Sequence, residues 1–157
     1  MKALVVYDSF FGNTEKVAQA IAAGLGAEAV RVSDFRADRL QGLDLLVIGA
    51  PTRGFRPSPL VKDLLKALPT RSLSGIKVAA FDTRIALADV KSRILPPLVK
   101  LFGYAAEPIG RAMAKAGGAL IVPPEGFIVK DTEGPLKDGE LERATAWAAR
   151  LAAEARR

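Results

Sequence analysis

Short runs of hydrophobic residues alternate with amphipathic stretches along the first half of this chain. The runs contain β-branched residues and have the length of strands that are buried on both faces of a sheet. We predict strands at Ala3–Tyr7, Ala29–Val32, Leu45–Ala50 and Ile76–Phe81. Between them, Thr14–Leu25 has apolar residues at helical spacing. Ser58-Pro59 supplies a cap and a first turn for a second helix that ends at about Leu68.

The second half of the chain continues the alternation with more interruptions. The stretch Asp89–Gly117 is helical in character, but Pro96, Pro97, Gly103 and Pro108 divide it into two predicted helical pieces. A fifth strand is predicted at Ala119–Val122 and Phe127–Val129, interrupted around Pro123-Pro124. Asp138 is the expected cap of a last helix that reaches about Ala155, with Glu140 and Glu142 near its positive end and Trp147 on its packed face.

This order of elements predicts an α/β protein with a doubly wound parallel sheet between two layers of helices. Five strands are expected, in a single domain over residues 1–157. Doubly wound sheets bind their ligands beyond the carboxyl ends of the strands. The loops after Tyr7, Ala50 and Phe81 are therefore expected to converge on one site.

The composition restricts the chemistry, because the 157 residues include neither cysteine nor histidine. Cysteine nucleophiles, disulfides and metal sites built on thiolate or imidazole are excluded. The most common general base is excluded as well. We expect no catalytic side chain and no metal site, so any redox chemistry must come from a bound cofactor.

The net charge of +6 indicates attraction to an acidic partner or an anionic ligand, or only a soluble surface rich in arginine. The basic residues are scattered and are not interleaved with aromatic residues, so nucleic-acid binding is not expected. No apolar run approaches the roughly 18 residues of a membrane span, so membrane insertion is not expected either. The first apolar run has the character of a strand and not of a signal peptide, which predicts a cytoplasmic location.

The loop that follows the first strand carries the strongest functional signal. Ser9 and Thr14 offer hydroxyl groups, and Gly12 allows the backbone to curl so that N–H groups point inward. The helix that follows adds its positive end. The loop has no lysine or arginine, so a phosphate would be bound mainly by neutral donors, and the missing lysine argues against a Walker-type nucleotide loop. The alternative is an ordinary strand-turn-helix with a hydroxyl cap and a turn glycine.

The run Val5-Val6-Tyr7-x-Ser9-x-x-Gly12-x-Thr14-x-x-x-Ala18-x-x-Ile21 resembles the phosphate-loop signature of the flavodoxin family. The resemblance implies the strand order 2-1-3-4-5 and flavin mononucleotide (FMN) as cofactor. It places the FMN phosphate on the first loop, formed by Ser9, Phe10, Phe11, Gly12, Asn13 and Thr14. The segment Gly134–Ala144 resembles the ending of a flavodoxin-like subgroup of unclear function.

The resemblance also implies that two further loops contact the cofactor. The second loop contributes Pro51, Thr52, Arg53, Gly54 and Phe55, with Thr52 near phosphate or ribityl oxygens and Phe55 stacked on the flavin ring. The alternative is a surface loop in which Phe55 packs on a helix. The third loop contributes Asp82, Thr83 and Arg84 at the pyrimidine side of the ring. Here the alternative is a charge pair between Asp82 and Arg84 at the end of the strand.

The function that follows is electron transfer by bound FMN, with a redox partner protein or a quinone-like small molecule as partner. Arg53 or Arg84 near the flavin would raise the flavin potential, and Arg84→Ala is expected to lower the two-electron potential. Two alternatives stay open, an FMN-dependent quinone or protoporphyrinogen reductase and a flavin-free binding domain of the same fold. The basic charge and the lack of an aromatic residue between Asp82 and Pro97 distinguish the chain from the better-known flavodoxins. The oligomeric state is left open.

Overall fold

A computed structural model describes residues 1–52, 56–86 and 104–157 of the chain. The strands in these ranges are β1 (Ala3–Tyr7), β2 (Glu28–Arg31), β3 (Leu45–Pro51), β4 (Lys77–Ile85), β5 (Ala119–Leu120) and β6 (Glu125–Val129). The helices are α1 (Asn13–Leu25), α2 (Pro59–Ala67), α3 (Ala106–Lys115) and α4 (Glu140–Ala155). Two short 3-10 turns, Val32–Asp34 and Ala37–Leu40, lie between β2 and β3.

The strands form one parallel sheet in the order β2-β1-β3-β4-β5, and β6 also pairs with β4. This confirms the predicted doubly wound fold and its strand order. The expected fifth strand is divided into two, because Lys77 and Val78 of β4 pair with β5, whereas residues 81–85 pair with β6. The interruption falls at Pro123-Pro124, as predicted. Proline has no N–H to donate to the neighbouring strand.

Strand β4 extends four residues beyond its predicted end at Phe81. Asp82, Thr83 and Arg84 therefore lie within the strand, and the prediction that they form a loop was wrong. The reason is pairing on both sides, which holds the backbone extended. Asp82 lies opposite Ala50 and Gly126, and Thr83 lies opposite Pro51 and Phe127.

Each face of the sheet buries a separate hydrophobic cluster beneath its helices. Helices α1 and α4 cover one face, where Phe81, Phe127 and Trp147 meet edge to face with ring centres 6.0 to 6.2 Å apart. Trp147 is 5% exposed, so its expected place in the packed face of the last helix is confirmed. Helices α2 and α3 cover the other face.

Two helices begin differently from the predictions, one at its capping residue and one at a proline. Asp138 does not cap α4, because Gly139 is the capping residue and the Asp138 carboxylate is exposed beside Lys130. Glu140 and Glu142 do lie in the first turn, as expected. Pro108 does not break a helix, because it falls in the first turn of α3, where proline removes no intrahelical bond.

Helix α3 is the second of the two helical pieces predicted in Asp89–Gly117, and residues 87–103 lie outside the described part of the chain. Within the described ranges, no helix is long and apolar enough to cross a membrane.

Candidate functional site

The carboxyl ends of β1, β3 and β4 meet at one edge of the sheet and enclose a cavity of about 120 Å³, which we call the loop pocket. Nine of the residues predicted for the site line it, namely Ser9, Phe10, Phe11, Asn13, Thr14, Pro51, Thr52, Thr83 and Arg84. Gly12 and Asp82 are not among its lining residues. Arg53, Gly54 and Phe55 lie outside the described residues. The expected convergence of three strand ends is therefore present, while contact with a cofactor stays a prediction.

The first loop is held in a tight turn by its own side chains. Gly12 has φ of 92°, a left-handed conformation that glycine adopts without strain. Its N–H donates to Ser9 Oγ at 3.0 Å, and the Ser9 N–H donates to Asp8 Oδ1 at 2.9 Å. No side chain caps helix α1. The first N–H groups of a helix have no partner within it, so this end of α1 is suited to an anion.

Two side chains at the start of α1 connect the loop to distant parts of the chain. The Thr14 hydroxyl is buried and lies 2.8 Å from the Thr83 hydroxyl of β4. Asn13 Nδ2 donates to the Glu133 carbonyl oxygen at 3.1 Å. Gly134 packs so closely on Asn13 that a Cβ atom there would lie 2.6 Å from Asn13 Oδ1. The segment after β6 therefore covers the start of α1.

Arg31 of β2 holds the first loop from the other side. Its Nη1 donates to the Ser9 carbonyl oxygen at 3.1 Å, and its Nη2 donates to Glu15 Oε2 at 3.0 Å. Glu15 also accepts a hydrogen bond from the Tyr7 hydroxyl. Burial, assisted by the negative charge of Glu15, raises the pKa of Tyr7. The only acid in the first turn of α1 is thus already occupied by partners on β1 and β2.

Asp82 and Arg84 form the charge pair that the sequence left as an alternative. Arg84 donates from Nε and Nη2 to the two carboxylate oxygens of Asp82, both at 2.7 Å. The Asp82 side chain is fully buried and also accepts the Ala106 N–H at 2.9 Å. Burial raises the pKa of Asp82, and the bonds from Arg84 oppose that rise. The carboxylate is therefore committed to its own chain.

The Arg84 guanidinium is enclosed by two further residues. Its Cζ lies 3.8 Å from the centre of the Tyr104 ring, a close cation–π contact. On β6, Gly126 leaves room for it, since a Cβ at that position would collide with the guanidinium. Burial raises the pKa of Tyr104, and the positive charge of Arg84 opposes that rise.

Comparison with known proteins agrees with this geometry. A family model described as a flavodoxin domain matches residues 4–106, which is more than half of the chain. The chain belongs to the flavodoxin family. Its structure is similar to that of a flavodoxin from the domain Archaea, with 21% identity, 100% of both chains covered and a TM-score of 0.78.

Two further solved structures show the same flavodoxin fold. Flavodoxin 2 from Bacillus cereus is 21% identical, with 98% of this chain and 99% of that chain covered and a TM-score of 0.78. A WrbA-like flavodoxin from Agrobacterium tumefaciens is 23% identical, with 99% and 97% covered and a TM-score of 0.73.

In this member of the flavodoxin family, sequence reasoning missed several residues of the loop pocket. Ile85, Val129 and Thr132 also line it. Ile85 ends β4, Val129 ends β6 and Thr132 follows it, so a longer fourth strand is the signal that could have found Ile85. Arg84 is the only charged lining residue among those described, and Asp82 neutralises it. An anion in the loop pocket would therefore meet N–H and hydroxyl groups.

Proposed function

We propose that the chain binds FMN by its phosphate at the start of helix α1 and works as an electron carrier. The observation that carries this proposal is the first loop. A glycine turn opens a helix that has no side-chain cap, beside a pocket lined by the hydroxyl-bearing residues Ser9 and Thr14. Membership of the flavodoxin family and the similarity to proteins described as flavodoxins support it.

The size of the loop pocket fits the phosphate end of the cofactor. Its volume of about 120 Å³ is several times the roughly 30 Å³ share of a liquid water molecule. It is well below the roughly 300 to 1,000 Å³ of pockets that enclose a whole small ligand. The rest of the FMN molecule must therefore extend beyond the loop pocket.

The donors available in the pocket suit a phosphate that is read without a cation. The Ser9 hydroxyl accepts from the Gly12 N–H, and the Thr52 hydroxyl accepts from the Ala105 N–H at 3.2 Å. A hydroxyl that accepts one hydrogen bond keeps its own proton to donate. The first-turn N–H groups of α1 add further donors. When bound, the flavin supplies the electron-transfer chemistry, and the protein binds and orients it.

The ion pair of Arg84 with Asp82 determines how Arg84→Ala should change the two-electron potential of the flavin. Arg84→Ala should lower the two-electron potential only if Asp82 keeps its charge, since the pair is neutral as a unit. Burial already favours the protonated form of that carboxyl. The Asp82→Asn/Arg84→Ala double variant removes both charges. Its flavin potential should therefore lie closer to that of the wild type than the potential of an Arg84→Ala variant in which Asp82 stays ionised.

Electron carriage is tested with the FMN-loaded protein. The reduced protein is mixed with oxidised cytochrome c, and the spectra of both are followed. A carrier reduces the acceptor in proportion to the flavin present and then stops. If the reduced flavin transfers no electrons to the acceptor, the carrier role is contradicted. The redox partner protein and the cytoplasmic location expected from the sequence belong to this same proposal.

An FMN-dependent quinone reductase is the second candidate, and the exposure of two aromatic rings favours it. Phe10 and Phe11 line the loop pocket and are 47% and 46% exposed. Such rings offer an apolar surface to a planar substrate. Sustained oxidation of NADH or NADPH by benzoquinone, with the protein in catalytic amount, would establish this candidate over the carrier.

A further inference from the structure

We propose that the groove between helices α2 and α3 is a second ligand site, for a small anion with an apolar body such as an alkyl phosphate or a carboxylate of similar shape. The groove has a volume of about 690 Å³ and carries Arg56, Lys62, Lys66 and Lys115 on its walls. We call it the helix groove. None of its described lining residues also lines the loop pocket. The proposal therefore does not depend on flavin binding.

One face of each helix builds the helix groove. On α2, Lys62, Leu65 and Lys66 recur at helical spacing and point to the same side. On α3, Ala112 and Lys115 follow the same rule. The volume lies within the roughly 300 to 1,000 Å³ that is typical of small-molecule sites. A small ligand, and not a second protein, is the occupant that this volume favours.

The floor of the helix groove is apolar. Leu65 and Leu68 are half-buried and pack against the hydrophobic core beneath them. Ala116 is buried, and its small side chain, like that of Ala112, leaves space above the core. Covering the exposed parts of these side chains removes apolar surface from water and favours a ligand with an apolar body.

The charge of the helix groove is of one sign. Among its described lining residues there are four cations and no carboxylate. None of the four cations forms an ion pair with another described residue. Lys66 and Lys115 lie in the last turns of their helices, where a cation is favoured by the helix dipole. Arg56 and Lys62 lie outside the last turns, and an anion in the helix groove would be attracted by all four cations.

The test uses octyl phosphate as the probe, below its micelle concentration, and the full-length protein. Binding is followed by displacement of the fluorescent anion 8-anilinonaphthalene-1-sulfonate and by calorimetry. Inorganic phosphate and octyl glucoside are the two partial probes, since one lacks the apolar body and the other lacks the charge. We expect octyl phosphate to bind saturably with one molecule per chain and each partial probe to bind at least roughly tenfold more weakly.

Two groove variants and one matched control locate the site. The triple variant Lys62→Gln, Lys66→Gln and Lys115→Gln should weaken octyl phosphate binding roughly tenfold, because each partly exposed ion pair contributes little. Ala112→Phe should reduce it by filling the groove without changing the charge. The control variant removes three exposed cations elsewhere, by Lys137→Gln, Arg150→Gln and Arg156→Gln. It should bind like the wild type.

The outcomes separate this proposal from the flavin proposal. The far-ultraviolet circular dichroism spectrum is expected to be unchanged in all of these variants, which shows that they are folded, and their FMN affinity is expected to equal that of the wild type. The proposal is overturned if octyl phosphate shows no saturable binding to the wild type. It is also overturned if the groove triple and the control triple lose affinity equally, or if an acidic amphipathic peptide binds in the groove while octyl phosphate does not.

Discussion

Helices α1 and α4 begin with nearly the same backbone but in different chemical surroundings. Each starts after a left-handed glycine without a side-chain cap, Gly12 with φ 92° and ψ −6°, and Gly139 with φ 86° and ψ −6°. The first helical residue is Asn13 in α1 and Glu140 in α4. The two helix ends therefore differ at this position in charge and not in conformation.

In α4 the chain supplies its own anion. The Glu140 carboxylate accepts hydrogen bonds from the Ile128 N–H at 2.6 Å and from the Arg143 Nε–H at 2.9 Å. The residue as a whole is 7% exposed. In α1 the corresponding Asn13 is neutral, and the nearby acid Glu15 is paired with Arg31. The first residue of α4 is therefore a carboxylate that is bound within the chain, whereas the first residue of α1 is neutral.

The largest expected effect comes from giving α1 the negative charge that α4 has. Asn13→Asp changes the size of the side chain very little and places a carboxylate beside the proposed phosphate. Two such charges about 4 Å apart repel by up to about 4 kcal/mol at an effective dielectric constant near 20, roughly a thousandfold in affinity. The loss of FMN affinity is measured by titration of the variant with FMN. Asn13→Ala is the control, because it loses the bond to the Glu133 carbonyl without adding charge. If both variants bind FMN equally well, the comparison fails.

Removing a hydroxyl from the start of α1 has the next largest effect. Thr14→Val should weaken FMN binding by roughly 1.5 to 3 kcal/mol, the value of a hydrogen bond to a charged group. The variant also breaks the contact of Thr14 with the Thr83 hydroxyl. Thr83→Val breaks that contact from its other end and is the matched control. An unchanged FMN dissociation constant in Thr14→Val would show that this hydroxyl does not contact the phosphate.

Removing the internal anion of α4 should lower stability and change its dependence on pH. The bonds from Arg143 hold the pKa of Glu140 below its ordinary value, with the Ile128 N–H assisting and burial opposing. A lowered folded-state pKa gives stability that is present above the ordinary value of 4.5 and is lost as the pH falls through the folded value. Glu140→Gln should cost about 1 to 2 kcal/mol at neutral pH. Urea unfolding at several pH values should show a flatter acid limb than that of the wild type, and an identical limb would contradict this role.

The smallest effect is expected at the exposed acid of the same turn. Glu142→Gln removes an exposed carboxylate from the first turn of α4 and should cost about 0.3 to 1 kcal/mol at low ionic strength. High salt should abolish the difference in urea midpoint from the wild type. A loss as large as that of Glu140→Gln would mean that charge alone neutralises this helix, without the bonds to Ile128 and Arg143.

The sequence predicted the first strand, turn and helix well, because the information there is local. A buried strand, a glycine turn and a helix follow one another within residues 3–25, and each is indicated by its own residues. The same holds for the division of the fifth strand, which two adjacent prolines indicate. The sheet order depended on the family resemblance.

The end of β4 could not be predicted, because pairing with distant residues decides it. Asp82 and Arg84 look like loop residues by composition, yet β3 and β6 hold them in the sheet. The role of Arg31 was missed for the same reason, since it binds a loop 22 residues earlier in the chain. The capping of α4 by Gly139 and not by Asp138 depended on a one-residue difference in backbone conformation.

Phosphate binding at the start of α1 is tested by titrating the apo-protein with FMN and following the quenching of flavin fluorescence. Riboflavin is the matched ligand that lacks the phosphate. If the start of α1 binds the phosphate as proposed, FMN should bind with a submicromolar dissociation constant and riboflavin should bind roughly a hundredfold more weakly or worse. Equal affinities for the two ligands, or no binding of either, would contradict the account.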